Sequence, residues 1–276
     1  MIWADLHMHT RFSDGTLTCG ELLAQAEAAG LSCISVTDHD TVDGVTQAQD
    51  EGVKREIEVI PGVELTAEYE RTELHILGYC IDHTSPFFLK KLQALRQNRV
   101  ERIYEITQKL KDKLGIVLAP EAVFAVAYEG STLGRLHVAR ALVKEGFVSS
   151  VYEAFARFIG DKSPAYVAGF KLNPAEAIAL IKQAKGVPVL AHPYTVNRDA
   201  LIPELVSMGL MGLEVFYIEH SQGMVNFYKD LAKKHNLLMT GGSDFHGEAK
   251  PDVALGSIKI PYELVEKLKS AKERLA

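Results

Sequence analysis

Several special-purpose classes are ruled out by what these 276 residues lack. The chain has only three cysteines, Cys19, Cys33 and Cys80, far apart and with no CxxC spacing. A disulfide framework is therefore not expected, and free thiols in a reducing cytoplasm are the plain reading. No run of about 18 apolar residues occurs, so no membrane span is expected. From Ile2 onward the chain reads directly as a strand, without the basic and apolar regions of a secretory leader. Basic excess is absent too. A net charge of −6 argues against stable binding of duplex nucleic acid, although a local basic pocket stays open. No internal repeat, low-complexity tract or flexible linker is present. What remains is an ordinary globular composition, 47% hydrophobic and 24% charged. Its length suits one large domain, or one domain carrying an insertion.

The stretch Asp5-Leu6-His7-Met8-His9 stands out from this background. Apolar residues alternate from Ile2, which predicts a strand on which residues two apart share a face. His7 and His9 then point the same way and can chelate one ion, with Asp5 one step behind. Further strands are predicted at Ser32–Thr37, Glu58–Val63, Thr72–Tyr79, Val187–Ala191, Gly212–Phe216 and Leu237–Thr240. A last short strand falls near Leu255–Ile258. Helical patterns alternate with most of them. Thr18 with Glu21 makes a capping box, and Asn173-Pro174 a cap followed by an N1 proline. The link between the third and fourth strands is too short for a helix.

Alternation implies a mostly parallel sheet, and seven main strands suggest a distorted (β/α)7 barrel. In such barrels functional groups sit at the C-terminal ends of strands, and six of the seven carry His, Asp or Glu there: His7/His9, His39, Glu64, His75, His192 and Asp244/His246. With Asp14 these make nine candidate ligands, too many for one tetrahedral zinc and suited to two or three divalent ions, Mn²⁺, Zn²⁺, Fe²⁺ or Mg²⁺. Clustered cations of this kind hydrolyse phosphate esters, or less often amides. Asp5 and Asp38 read as groups that orient ligands, and Asp40, Asp43 and Glu68 as solvated.

Between Pro86 and Pro164 the strand pattern stops. Pro86–Leu114 reads as one long amphipathic helix, followed by shorter ones near Pro120–Tyr128, Leu136–Glu145 and Ser150–Phe158. The domain division is thus a barrel of residues 1–85 and 165–276 with a helical insertion, or cap, over 86–164. From Ser131 to Lys171 there are six Lys/Arg and three Asp/Glu, a local balance of +3.

The motifs His7-Met8-His9-Thr10, Ser13-Asp14-Gly15, Thr37-Asp38-His39-Asp40, Pro61-Gly62-Val63-Glu64, Ala191-His192-Pro193 and Gly242-Ser243-Asp244-Phe245-His246, with His75, resemble those of the PHP (polymerase and histidinol phosphatase) family. The resemblance implies a trinuclear metal site. His7, His9, Glu64 and Asp244 would hold one ion, and Glu64, His75 and His192 a second. Asp14, His39 and His246 would hold the third, Asp14 standing where some relatives have histidine. A metal-bridging hydroxide on Glu64 and Asp244 would attack phosphorus, with His246 or an ordered water protonating the leaving oxygen. The segment Arg135-Leu136-His137-Val138-Ala139-Arg140 is similar to the cap of the TrpH-like branch. That branch includes nucleoside 3′,5′-bisphosphate phosphatases and 5′-to-3′ exoribonucleases acting on short RNA. Arg135, His137, Arg140 and Lys162 are the implied phosphate contacts, since guanidinium forks suit phosphate oxygens. The expected partner is a small phosphorylated nucleotide or a short 5′-phosphorylated oligonucleotide. The rivals are histidinol-phosphate phosphatase, an amidohydrolase, and a non-catalytic module of the same fold.

Overall fold

The computed structural model describes residues 2–70, 72–168 and 172–275, so Lys171 of the basic stretch lies outside the described residues. In chain order the elements begin with β1 (Trp3–Met8), α1 (Cys19–Ala28), β2 (Cys33–Val36), α2 (Val45–Lys54), β3 (Glu58–Tyr69) and β4 (Thr72–Tyr79). The insertion follows: α3 (Pro86–Leu114), α4 (Pro120–Phe124), α5 (Arg135–Lys144) and α6 (Val151–Ala154), which runs into a π turn at Phe155–Ile159. The chain returns through α7 (Pro174–Gln183), β5 (Val187–Leu190), α8 (Pro193–Val196), α9 (Ile202–Ser207), β6 (Gly212–Tyr217), α10 (Gln222–Lys234), β7 (Leu238–Gly242), β8 (Ile260–Pro261) and α11 (Tyr262–Glu273). The expected Thr18–Glu21 capping box forms, and Asn173 caps its helix as expected, joined there by Glu176 in a second box. Among the described residues no helix is long and apolar enough to cross a membrane.

The sheet runs β7-β6-β5-β4-β3-β2-β1-β8. It nearly closes on itself, because the residues after β7 reach β1. The His9 amide donates to Phe245 O at 2.9 Å and the Asp244 amide to His7 O at 2.8 Å. Gly242 permits that approach, since a Cβ there would sit 2.4 Å from the His7 amide nitrogen. The result is a mixed α/β barrel of eight strands, a distorted relative of the (β/α) barrels.

Two expectations need correction. His75 does not lie at the C-terminal end of a parallel strand. Only residues 70 and 71 separate β3 from β4, and a link that short makes an antiparallel hairpin. Thr66 stands opposite His75, and Glu64 opposite Leu77. The first half of β4 thereby joins the same barrel end as the second half of β3. The final strand, expected near Leu255–Ile258, sits at Ile260–Pro261, antiparallel to Trp3 and Ala4. Residues 255–258 cannot extend because Gly256 turns the chain at φ +72°, and its amide is held by Asp5 Oδ2 at 3.1 Å.

α3 belongs to two cores. Phe88, Leu92 and Leu95 join the apolar layer between α7 and the barrel, with Ile178, Ile181, Leu65 and Ile76. Ile103, Ile106 and Leu110 instead pack with Val138, Leu142 and Phe158 inside the insertion. At about 1.5–3 kcal/mol per buried large apolar side chain, each half is anchored separately. Arg99 and Arg102 lie between the two apolar stretches and reach the barrel.

Candidate metal centre and its cavity

Alternation along β1 decides which side chains enter the barrel. Asp5, His7 and His9 share one face and are fully buried. Leu6 and Met8 point away into separate apolar clusters. Asp5 accepts from the Ser243 amide at 2.9 Å and the Ser243 hydroxyl at 2.6 Å. It thereby fixes the loop that carries Asp244 and His246.

The imidazoles are held from behind in a consistent way. Glu214 Oε1 accepts from His7 Nδ1 at 2.9 Å, and Glu214 Oε2 accepts from the His192 amide at 2.8 Å. Ser13 gives its hydroxyl hydrogen to Asp38 at 2.5 Å, so its oxygen accepts from His9 Nδ1 at 3.4 Å. Thr195 donates to His192 O at 2.9 Å, so its oxygen accepts from His192 Nδ1 at 2.7 Å. Glu73 accepts from His75 Nε2 at 3.2 Å, and Asp244 O accepts from His246 Nδ1 at 2.8 Å. In all five rings the outer nitrogen is committed as a donor and the inner one offers a lone pair. That is how metal-binding histidines are oriented.

The inner atoms converge. Ligand atoms of His7, His9, Glu64 and Asp244 lie within 4.8 Å of one another, as do those of His9, Asp14, His39 and His246, and those of His39, Glu64 and His75. His192 Nε2 is 3.1 Å from Glu64 Oε1 and 3.3 Å from His75 Nδ1. All nine expected ligands are thus brought to one place. His192 and Asp244 do this from left-handed backbone, at φ 25° and 54°, strain of the kind kept at functional sites.

Protons stand where cations would go. Burial opposes charge on His9, yet the Asp244 and Glu64 carboxylates, each 3.2 Å from Nε2, push it up to about 9. Burial likewise opposes charge on His75, but Glu64 and Glu73 push it up to about 10. Even so, His9 Nε2, Asp14 Oδ1 and His39 Nδ1 are buried without a hydrogen-bond partner. Orphaned buried polar atoms each cost about 1–3 kcal/mol, and divalent ions would satisfy all three. The donor set therefore fits a multi-metal centre.

Some participants were not legible in the sequence. Glu214, fully buried within β6, positions both His7 and His192. Lys250 and Tyr217 hold the outer oxygen of Asp244, at 2.6 and 3.1 Å. Asp40 is not solvated: it is 1% exposed and accepts from Arg99 Nε at 2.6 Å. Arg99 also binds Thr66 and Leu133 O, which fixes α3 over the barrel mouth. Glu73 receives both Arg102 and Arg135, at 2.8 and 3.0 Å. A buried acid inside an apolar strand, as in Gly212-Leu213-Glu214-Val215, is the signal that could have found Glu214.

The four expected phosphate contacts scatter. Arg135 lines the cavity above the cluster, stacked between the rings of Phe155 and Tyr166 at 5.6 and 5.4 Å. It also donates to Asp161 at 2.5 Å. His137 is 1% exposed, and its Nδ1 accepts from the Gly134 amide at 3.1 Å, capping α5. Its Nε2 has no partner, and burial holds the ring down at about 4. Arg140 is half-buried with Nη1 unpartnered, and Lys162 is exposed. The last three stand outside the lining of the cavity, whose volume is about 480 Å³.

Comparison with known proteins agrees with this geometry. The PHP domain pattern matches residues 5–158, and the chain belongs to the PHP domain family. It is a hydrolase of the metal-dependent phosphoesterase kind. Over 256 residues it is 32% identical to the 3′,5′-nucleoside bisphosphate phosphatase of Chromobacterium violaceum, covering 90% of each chain. It is 34% identical over 247 residues to the 5′-3′ exoribonuclease of Haemophilus influenzae, covering 88% of this chain and 89% of that one. A Bifidobacterium adolescentis crystal structure described as a metal-dependent phosphoesterase superposes with a TM-score of 0.87 at 32% identity. That match covers 96% of this chain and 94% of the other.

Proposed function

We propose that the protein hydrolyses phosphate esters of nucleotides. It would remove the 3′-phosphate of nucleoside 3′,5′-bisphosphates, or cleave short oligoribonucleotides from a phosphorylated 5′ end. The observation that carries this reading is the position of Arg135, on the insertion yet in the wall of the same cavity as seven of the nine candidate ligands. In this division of labour, residues 1–85 and 165–276 carry the chemistry and residues 86–164 select the substrate. The names of the two relatives support the nucleotide class.

His7, His9, Glu64 and Asp244 would hold one ion, Glu64, His75 and His192 a second, and Asp14, His39 and His246 a third. Mn²⁺, Zn²⁺, Fe²⁺ or Mg²⁺ in two or three of these positions supplies water activation and neutralises charge on the phosphate. The protein's own groups do the rest. Charged side chains in the cavity wall are Arg99, Arg102, Arg135 and Lys250 against Asp14, Glu64, Glu73, Glu219 and Asp244. Divalent ions on the acidic set turn that wall positive and suit it to a dianion. Arg135 already donates to Ile159 O, Asp161 and Glu73, so its Nε and its second Nη2 hydrogen are the donors it would offer phosphate oxygens. Glu73, buried beneath it, keeps the guanidinium in the wall. Burial and Lys250 keep the His246 ring low in proton affinity. That favours its role as a ligand and leaves protonation of the leaving oxygen to an ordered water. Three buried free cysteines agree with a reducing cytoplasm as the site of action.

The test is phosphate release with Mn²⁺ from adenosine 3′,5′-bisphosphate, a 5′-phosphorylated RNA trimer and histidinol phosphate in parallel. Turnover of either nucleotide with histidinol phosphate inert is the expected result. Turnover of histidinol phosphate alone would overturn the reading and leave Arg135 without a role.

A further inference from the structure

The cavity wall divides by chemistry. Its barrel side is mostly imidazole and carboxylate, with Thr195, Tyr217 and Lys250, whereas the insertion adds Arg99, Arg102 and Arg135 together with Leu136, Val151, Tyr152 and Phe155. Tyr152 is the unusual member, lining the cavity while remaining 82% exposed. Single exposed aromatics are ordinary, but this one is placed with purpose. It precedes Phe155 by three residues, the spacing that puts two side chains on one side of a helix. The Phe155 ring lies 5.6 Å from the Arg135 guanidinium. Phe155 also opens the π turn at the end of α6, a local widening that recurs at functional sites. Arg135, Phe155 and Tyr152 therefore follow one another along the cap wall, from a phosphate-binding group to an exposed ring.

We propose that Tyr152 and Phe155 form a platform on which a nucleobase of the substrate stacks, beside the phosphate held by Arg135. The proposal rests on the nucleotide reading above. Leu136 and Val151 complete the strip and supply no side-chain hydrogen-bonding groups, so the platform reads the face of a base and not its edge. Stacking of this kind tolerates every base and favours the larger purines.

The experiment compares adenosine 3′,5′-bisphosphate with ribose 3,5-bisphosphate, which lacks the base, on wild type, Tyr152→Ala and Tyr152→Phe. In addition, the fluorescence of 2-aminopurine riboside 5′-monophosphate is titrated against each protein. In Tyr152→Ala the ratio of kcat/KM, base-bearing over base-free, should fall about tenfold or more. Tyr152→Phe should keep the ratio, and quenching of the probe should weaken only in the alanine variant. An unchanged ratio and unchanged quenching in Tyr152→Ala would overturn the platform. So would wild-type protein that processes both bisphosphates equally well, although the phosphate reading would survive. If wild type releases phosphate from neither compound nor from the RNA trimer, the nucleotide reading falls and the platform with it.

Discussion

The nine-residue cluster and the helical insertion are incomplete in opposite senses. At the nine-residue cluster, the buried atoms without hydrogen-bond partners are His9 Nε2, Asp14 Oδ1 and His39 Nδ1. In the insertion they are His137 Nε2 and Arg140 Nη1, both outside the cavity lining. The second set are donors: His137 Nδ1 already accepts from Gly134, which leaves the hydrogen on Nε2. One side is short of cations, the other short of an anion. Divalent ions would answer the first; the second lies outside the cavity lining, so a substrate bound in the cavity does not reach it. The two parts of the chain meet where Glu73 ties His75 to Arg102 and Arg135, the junction that the proposed division between reaction and selection requires.

The largest effect should come from breaking the barrel side. Glu64→Ala or Asp244→Ala should lower turnover of every phosphate ester by on the order of 10³-fold and lower the metal content measured by elemental analysis. Full activity with metal retained would remove these residues from the site. A smaller effect is expected one step behind the ligands. Glu214→Gln removes the charge that orients His7 and loosens the His192 amide, so Mn²⁺ affinity should drop roughly 10- to 100-fold. Excess Mn²⁺ should then recover much of the activity. Affinity equal to wild type in a metal titration would show that Glu214 serves only the packing of β6.

The smallest effect concerns His137 on the cap side. Burial lowers it from 6.5 to about 4, so the fold holds it neutral while the unfolded chain takes up a proton near 6.5. A depressed pKa contributes stability that is present above pH 6.5 and is lost as pH falls toward 4. His137→Gln retains a group able to cap α5 but cannot titrate. At pH 7 its stability should lie within about 1 kcal/mol of wild type. Between pH 6.5 and 4, urea unfolding of metal-stripped protein should depend less steeply on pH. An unchanged slope would show that His137 is not the buried neutral group described.

Much of the metal cluster was legible because its residues obey local rules. His7 and His9 share a face through strand alternation, and Asp244 and His246 follow a strand end marked by Gly241-Gly242. The direction of β4 was less legible, although the short link after β3 announced that regular alternation breaks there. Glu73, Arg99, Arg102 and Asp40 were invisible for a physical reason. Charges on helices and loops look solvated until the tertiary fold brings a partner, and Asp40 finds Arg99 across 59 residues of sequence. Which insertion residues border the cavity was least legible, because helical spacing says which side chains share a face but not which cavity that face borders. Arg135 reaches the wall, while Lys162 remains exposed in the loop after the π turn.

The division between chemistry and selection is tested most directly by the ratio of kcat/KM for adenosine 3′,5′-bisphosphate over a simple aryl phosphate, in wild type and in Arg135→Ala, both saturated with Mn²⁺. The expected result is a ratio lowered roughly 10- to 100-fold, carried by KM, as suits loss of a charge-assisted contact of about 1.5–3 kcal/mol. A ratio that does not move, with both substrates losing equally, would contradict the account and place Arg135 at the scissile phosphate or in the scaffold.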